Sequence, residues 1–370
     1  WRKEVNDFFE LLRLMKELDA SDLHIKFGRR PILRIRKDLK IVEEWGKPFT
    51  KEDIDTIMKK VMPQRHIELF EETKEADFAF DDPEVGRYRV NAFKQRGYTG
   101  LVFRRIKDII PNFSEINLPT VLEKISMFND GIVLVTGPTG CGKSTTLAAM
   151  IENINRQKER HIITIEDPIE YLYKDKKCII DQREVGIDTN SFSEALKHIL
   201  REDPDIILIG ELRDVDTFQA AINACETGHL VFTTLHTVDT LSTIARILDF
   251  FPSSQQEQVR KTIGYHLRAS ICQKLVPRKD STGMIPVCEI MVVTPLISKL
   301  IQENKMNKIY SAMAADKEIG MQTFNQHLVK LIQGDVITQE TGFAISPAPH
   351  TLEMNLRGIF LDEETKIIGE

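Results

Sequence analysis

Eight consecutive residues have the composition of a phosphate-binding loop. Positions 137–144 read G-P-T-G-C-G-K-S and fit the pattern G-x-x-x-x-G-K-[ST]. Glycines allow a tight turn whose backbone N–H groups converge on phosphate oxygens at the positive end of a helix. In such a loop Lys143 contacts the β and γ phosphates, and Ser144 is a ligand of Mg²⁺. The pattern predicts a nucleoside triphosphate site formed by Gly137, Pro138, Thr139, Gly140, Cys141, Gly142, Lys143, Ser144 and Thr145.

The segments around this loop predict how it is held. The apolar run Gly131–Thr136 is typical of a buried strand, and Thr145–Asn155 is typical of a helix. Beyond them, strands and helices continue to alternate, which predicts a mainly parallel sheet covered by helices on both faces. The further predicted elements are His161–Ile165, Phe192–Leu200, Ile206–Ile209, Phe218–Ala224 and Leu230–Thr234.

Two of these strands end in acidic residues. Glu211 follows Ile206–Ile209 and Gly210, and ligands bind at the carboxyl ends of strands in open parallel sheets. Glu211 is therefore predicted to polarise the attacking water, the alternative being a strand-end glutamate that faces solvent. Glu166 and Asp167 follow His161–Ile165, so one of them is expected near the metal or its waters. A solvated acidic turn is the alternative for this pair.

Two histidines bracket the strand Leu230–Thr234. His229 precedes it and His236 follows it, so they lie at opposite ends and do not share a metal. An imidazole near a γ-phosphate could respond to the presence of that phosphate, although a histidine beside a strand more often has a structural role.

The amino-terminal residues 1–110 predict a separate α+β domain. Residues Val5–Leu18 have the apolar spacing of an amphipathic helix, short β-rich pieces follow, and Lys51–Met62 and Arg65–Thr73 are predicted helices. The strands carry a group of arginines that form either an exposed basic face or fingers that stabilise a triphosphate. These arginines are Arg87, Arg89, Arg96, Arg104 and Arg105.

The remaining domain boundaries are predicted from the local composition of the chain. Residues 111–119, which begin and end with proline, are predicted to be a linker, and residues 120–345 the nucleotide-binding domain. From about residue 252 the chain is expected to be mostly helical. The tail 346–370 is expected to be loosely ordered.

Overall composition narrows the function classes. The formal charge of −6 over 370 residues argues against a nucleic-acid motor. The five cysteines include no CxxC pair, which argues against a zinc site and a disulfide framework and favours a reduced, cytoplasmic protein. No secretory signal is recognised. No apolar run approaches the roughly 20 residues needed to span a bilayer, so membrane contact is expected only through a partner.

Four ordered motifs make the chain resemble the secretion ATPases of the PilT/GspE superfamily, most of all the type IV pilus retraction ATPases. They are the phosphate loop, an aspartate box at Ile163–Tyr171, a Walker B run at 201–214 and a histidine box at Thr227–Thr237. The runs Ala20–His24 and Arg87–Phe93 match the family's amino-terminal domain. The implied fold is an α/β RecA-like P-loop domain with a mainly parallel sheet. A smaller PAS-like α+β domain precedes it, and a helical part follows.

The resemblance also assigns roles to single residues. Lys143 and Ser144 would contact phosphate and Mg²⁺, and Glu211 would be the catalytic glutamate, with Glu166 as the second carboxylate. Glu166 and Glu211 would also serve the metal. His229 would approach the γ-phosphate of ATP, while Arg89 and Arg104 would point at ATP from the amino-terminal domain.

The resemblance implies a ring-shaped homo-hexamer that binds the cytoplasmic side of an inner-membrane pilus platform protein, similar to PilC. Extension and type II secretion ATPases usually carry a tetracysteine insert, of which this chain has only Cys272 and Cys288. That favours hydrolysis of ATP for pilus retraction and twitching motility. The retraction family's arginine-bearing motif near Pro295–Glu303 lacks arginine here, which leaves room for a PilU-like accessory ATPase beside a paralogous motor. Two alternative functions stay open: an ATPase that powers assembly in pilus extension or type II secretion, and a weakly hydrolysing adaptor that regulates a true motor.

Overall fold

The computed structural model describes residues 7–35, 38–316 and 318–359. Val5, at the start of the predicted first helix, lies outside these residues. The chain forms two compact units, of which the first extends to Ile109 and also includes the later segment Glu170–Leu172. Within that first unit, the backbone N–H of Leu172 donates to the Lys107 carbonyl at 3.1 Å. The second unit comprises Ile110–Ile169 and the chain from Tyr173 onward.

The first unit is an antiparallel sheet packed against helices. The helices and strands are α1 (Phe8–Glu17), β1 (Ala20–Lys26), β2 (Ile32–Ile35), β3 (Asp38–Ile41), α2 (Lys51–Val61), α3 (Gln64–Thr73), β4 (Glu75–Asp82), β5 (Gly86–Gln95) and β6 (Tyr98–Arg105). The strands lie in the sheet in the order β3-β2-β1-β6-β5-β4.

Local sequence explains these elements. The apolar spacing along α1 places Phe8, Leu11, Leu12 and Met15 in the core of the unit. Thr50 caps α2 in a reciprocal capping box with Asp53. Alternation along β5 and β6 sends one set of side chains into that core and leaves the other set on the opposite face of the sheet.

The second unit contains the alternating helices and strands expected from the sequence. Its elements are α4 (Val121–Ser126), β7 (Gly131–Thr136), α5 (Lys143–Gln157), β8 (His161–Glu166), β9 (Ile179–Glu184), α6 (Phe192–Ile199), β10 (Ile206–Ile209), α7 (Val215–Glu226), β11 (Leu230–Leu235), α8 (Thr240–Leu248), α9 (Ser253–His266), β12 (Leu267–Pro277), β13 (Met284–Val292), α10 (Pro295–Gln302), α11 (Ile309–Ala315), α12 (Phe324–Gln333), α13 (Gln339–Ile345) and α14 (Pro349–Leu356).

Its seven-stranded sheet has the order β13-β12-β7-β11-β10-β8-β9. All neighbouring strands are parallel except β13, which pairs antiparallel with β12. Every residue of β7, β10 and β11 is buried, as expected for parallel strands covered on both faces. The carboxyl ends of β7, β8, β10 and β11 meet at one edge, and the phosphate loop follows β7 at the middle of that edge. The α/β fold with a smaller preceding domain and a helical carboxy-terminal part is therefore confirmed.

Three regions of the chain differ from what the sequence predicted. The region after residue 252 contains the long hairpin β12–β13 among its helices; both of its strands are largely buried, so neither shows a clear alternation of polar and apolar residues. The expected linker 111–119 belongs to the second unit, because Phe113 and Leu118 are buried in its core. The expected loose tail contains α14, which packs on α12 through the buried Leu352. Residues 360–370 of that tail lie outside the described residues.

Within the described part of the chain, no helix combines the length and the apolar character that crossing a bilayer requires.

Candidate nucleotide-binding and catalytic site

The three glycines of the phosphate loop all have positive φ, a backbone geometry that glycine adopts readily. The angle is +142° at Gly137, +76° at Gly140 and +91° at Gly142. Gly142 is the N-cap of α5, and no side chain caps this helix, whereas Ser191, Asp214 and Asp239 cap α6, α7 and α8. The first N–H groups of a helix need an acceptor, and a phosphate group can supply it.

The Lys143 side chain folds back onto the start of this loop. Its ammonium donates to the carbonyl oxygens of Gly137 at 2.8 Å and of Pro138 at 3.2 Å. Ser144 stands in the first turn of α5 and is half-buried. Cys141 is almost completely buried, which raises the pKa of its thiol, so this side chain adds no negative charge near the phosphates. The loop therefore presents one cation and a hydroxyl to a polyphosphate.

Glu211 follows β10 at the same edge of the sheet and is held by two neighbours. One carboxylate oxygen accepts from Arg213 Nε at 2.9 Å, and the other lies 3.3 Å from His236 Nε2. Arg213 also pairs with Asp167 through Nη1 at 3.3 Å. These contacts, with the hydrogen bond to Glu211 foremost, raise the pKa of Arg213, so the guanidinium stays charged beside the glutamate.

Glu166 ends β8 on the strand next to β10. Its Oε1 accepts hydrogen bonds from Thr164 Oγ1 at 2.7 Å and from Gln182 Nε2 at 3.1 Å. Gly210 approaches closely, since a Cβ built on it would lie 3.5 Å from Glu166 Cα. Glu166 and Glu211 are therefore neighbours at the carboxyl edge of the sheet, as their strand positions predicted.

These side chains fit the chemistry of Mg²⁺. A serine hydroxyl and carboxylates are hard oxygen donors, and Mg²⁺ usually takes one or two protein carboxylates with phosphates and waters as its other ligands. In the described ranges no group of three or more His, Cys, Asp or Glu residues could hold a metal ion.

The two histidines lie at opposite edges of the sheet, and His236 rather than His229 lies at the edge that carries the phosphate loop. The carbonyl of His229 accepts from Gly131 N–H at 3.0 Å, at the start of β7, and its Nδ1 contacts Thr227 Oγ1 at 2.9 Å. Six strand residues, about 20 Å, separate this edge from the phosphate loop. The implied approach of His229 to the γ-phosphate is therefore contradicted.

His236 is at the loop instead. It follows Leu235, whose carbonyl accepts from Gly137 N–H at 3.3 Å, and it reaches Glu211. The correction has a simple cause, because only the carboxyl ends of parallel strands converge on the loop. Applied to β11, the same rule that predicted Glu211 selects His236 from the sequence. Arg213 was also not identified from the sequence as a site residue, because no local pattern distinguishes it from other arginines.

In the first unit, Arg89 and Arg104 face each other across β5 and β6. Arg104 Nε pairs with the buried Asp22 at 2.8 Å, and Arg89 Nε lies 3.8 Å from Asp77. The Arg104 side chain nevertheless remains 66% exposed, so its guanidinium is accessible. The other three arginines have different settings: Arg87 is largely buried near Asp81, Arg105 pairs with Asp19, and Arg96 stands in a turn with positive φ.

Comparisons with known proteins identify the family of this chain. Residues 112–342 match the family described as "Type II/IV secretion system protein". The chain is 43% identical to the "Type IV pilus retractation ATPase PilT" of Pseudomonas aeruginosa, over 90% of this chain and 96% of that protein. It is 39% identical to the "Type IV pilus ATPase PilU" of the same organism, over 95% and 91% of the two chains.

A solved structure, described as the pilus retraction motor PilT with bound ADP, superposes with a TM-score of 0.88 at 43% identity. The superposition covers 95% of this chain and 99% of that one. The resemblance inferred from the four motifs is thus confirmed, and the chain belongs to the type II/IV secretion system protein family, the PilT/GspE superfamily of ATPases.

Proposed function

We propose that this protein is a motor ATPase that hydrolyses ATP to power type IV pilus retraction. The observation that carries the proposal is the position of Glu211, which lies at the carboxyl edge of the sheet with the phosphate loop and contacts both Arg213 and His236. A P-loop without a placed carboxylate could bind nucleotide, but it could not orient water for attack. The names of the two Pseudomonas relatives support the pilus assignment.

The chemistry follows from the residues at this edge. Lys143 and the N–H groups at the start of α5 hold the β and γ phosphates, and Ser144 with Glu166 and Glu211 would hold Mg²⁺, which neutralises charge on the phosphate oxygens. Glu211 accepts a hydrogen bond from the attacking water and orients it toward the γ-phosphate. His236 lies beside Glu211 and replaces His229 as the histidine that approaches the γ-phosphate.

Arg89 and Arg104 are proposed to contribute positive charge to the ATP-bound state, within a homo-hexamer that acts on an inner-membrane platform protein. Their shared sheet face and the exposed Arg104 guanidinium support this role. Loss of the γ-phosphate would remove charge-assisted hydrogen bonds, which are stronger than neutral ones. The difference in affinity between ATP and ADP is then the source of free energy for movement.

Substituting Arg104 by Ala is expected to lower kcat at least about tenfold while the Kd for ATP changes much less, because an arginine finger acts on transition-state charge. Steady-state hydrolysis and equilibrium titration on the same preparation measure the two effects. Arg30→Ala is the matched control, since the half-buried Arg30 of the first unit also pairs with an acidic residue, Glu43 at 2.6 Å. Equal losses of kcat in both variants, or an unchanged kcat in R104A, would contradict the role.

The cellular function is tested by deleting the gene in its native host. Loss of retraction should give excess pili and no twitching, whereas bald cells would indicate an assembly motor. The 39% identity to PilU favours one specific second candidate, an accessory retraction ATPase. An accessory protein would leave retraction without load intact and would show slow hydrolysis by itself.

A further inference from the structure

Gln273 lies on the strand that runs beside the phosphate loop. Strand β12 pairs with β7 up to the partners Cys272 and Thr136, and β7 then turns into the loop while β12 continues to Pro277. Gln273 is the first residue of β12 beyond that last pair, and it is 2% exposed. A buried amide must find hydrogen-bond partners, and those of Gln273 identify its role.

Both ends of the Gln273 amide are bonded to the nucleotide-binding segment. Nε2 donates to the carbonyl oxygen of Cys141 at 2.5 Å, and Oε1 accepts from Thr146 Oγ1 at 2.8 Å. Cys141 belongs to the loop, whereas Thr146 is a buried residue in the first turns of α5. A single side chain therefore connects the loop to the helix that follows it.

The glycines of the loop fit closely against the same residue. A Cβ built on Gly137 would lie 2.3 Å from the Gln273 carbonyl oxygen, and one on Gly142 would lie 2.9 Å from Gln273 Nε2. These distances leave no space for a side chain at Gly137. Gln273 thus contacts the loop near its beginning and near its end, through backbone and side chain respectively.

We propose that Gln273 is a positioning residue that fixes the orientation of the Cys141–Gly142 peptide for phosphate binding. In a planar trans peptide the C=O and N–H point in opposite directions. Because the Cys141 carbonyl is directed at Gln273, the N–H of Gly142 is directed away from β12. The loop is thereby held in one conformation before nucleotide arrives, which reduces the ordering cost of binding. The inference rests on the proposed function of the loop as a triphosphate site.

Two variants of similar side-chain length separate the hydrogen bonds from packing. Gln273→Met removes both bonds, and we expect the Kd for Mg-ADP, measured by calorimetry, to rise about tenfold, as for loss of a buried hydrogen bond. Gln256→Met is the control, because the amide of Gln256 in α9 also donates to backbone carbonyls, those of Leu248 at 3.1 Å and Phe251 at 3.3 Å, away from the phosphate loop. Its Kd should equal that of the wild type.

Gln273→Glu adds a readout that a purely structural role would not change. The introduced carboxyl can accept from Thr146, but it can donate to the Cys141 carbonyl only when protonated. At this buried position desolvation raises the pKa of a carboxyl above its ordinary value of about 4.3, so the carboxyl gains protons between about pH 8 and about pH 5.5. The Kd of Q273E relative to wild type should therefore fall toward one as the pH is lowered, while the ratio for Q273M stays constant.

The outcomes are distinguishable. Wild-type affinity in Q273M, or a Q273E ratio that does not change with pH, would overturn the positioning role while leaving the proposed function intact. Failure of the wild-type protein to bind Mg-ADP would overturn the proposed function and this inference together. Thermal unfolding of each variant identifies any loss of folded protein, and the Q273E ratio is then taken over the pH range in which both proteins are folded.

Discussion

Glu211→Gln is expected to bind ATP with an affinity close to that of the wild type and to lose hydrolysis by about 10²–10⁴-fold, the range for removal of a general base. The amide keeps the size of the side chain and one acceptor oxygen. It loses the negative charge that attracts Arg213 at 2.9 Å, and it cannot take a proton from water. Binding should survive because Lys143 and the start of α5 hold the phosphates.

Titration with ATP in the presence of Mg²⁺, followed by phosphate release from the same preparation, measures both effects. Glu202→Gln is the matched control, since Glu202 also pairs with an arginine of the second unit, Arg183 at 2.9 Å, but outside the site. It should hydrolyse ATP normally. Normal turnover in E211Q would refute the assignment of Glu211.

The two histidine variants, His236→Ala and His229→Ala, have the next largest expected difference in kcat. His236→Ala should lower kcat about 10–100-fold, because His236 lies 3.3 Å from Glu211 and follows the residue bonded to Gly137. His229→Ala should leave kcat near the wild-type value. His229 contacts Thr227 and the carbonyl of Ala224 at the opposite edge, so its loss affects only local packing.

Single-turnover hydrolysis with the protein in excess over ATP isolates the chemical step for this pair. Thermal unfolding provides the control for stability, since the half-buried His229 stabilises the turn before β11. A larger loss of kcat in H229A than in H236A would contradict the exchange of roles and restore the original assignment.

Several features of the site follow from sequence because the chemistry uses consecutive residues. The loop from Gly137 to Ser144 needs its glycines, lysine and serine at fixed offsets along the chain. The position of Glu211 was also predictable, because an apolar strand followed by an acid places that acid at a known end of a parallel sheet. The family resemblance depends on the same short motifs, and the comparisons confirm it.

Other features depend on residues that are far apart in sequence. His229 and His236 lie at different edges of the sheet because strand direction, rather than the motif that contains both, decides which edge each one occupies. Arg213 becomes part of the site only because β8 and β10 are neighbours, which brings Asp167 and Glu211 to one guanidinium.

Gln273 is the clearest example of what the tertiary structure adds. It lies 132 positions beyond Cys141 in the chain, and it belongs to a hairpin in a region that was expected to be mostly helical. Residue types and local spacing therefore predicted the phosphate loop and the position of Glu211. The pairing of β12 with β7 decided what holds those groups in place, because contacts between distant segments form only when the sheet assembles.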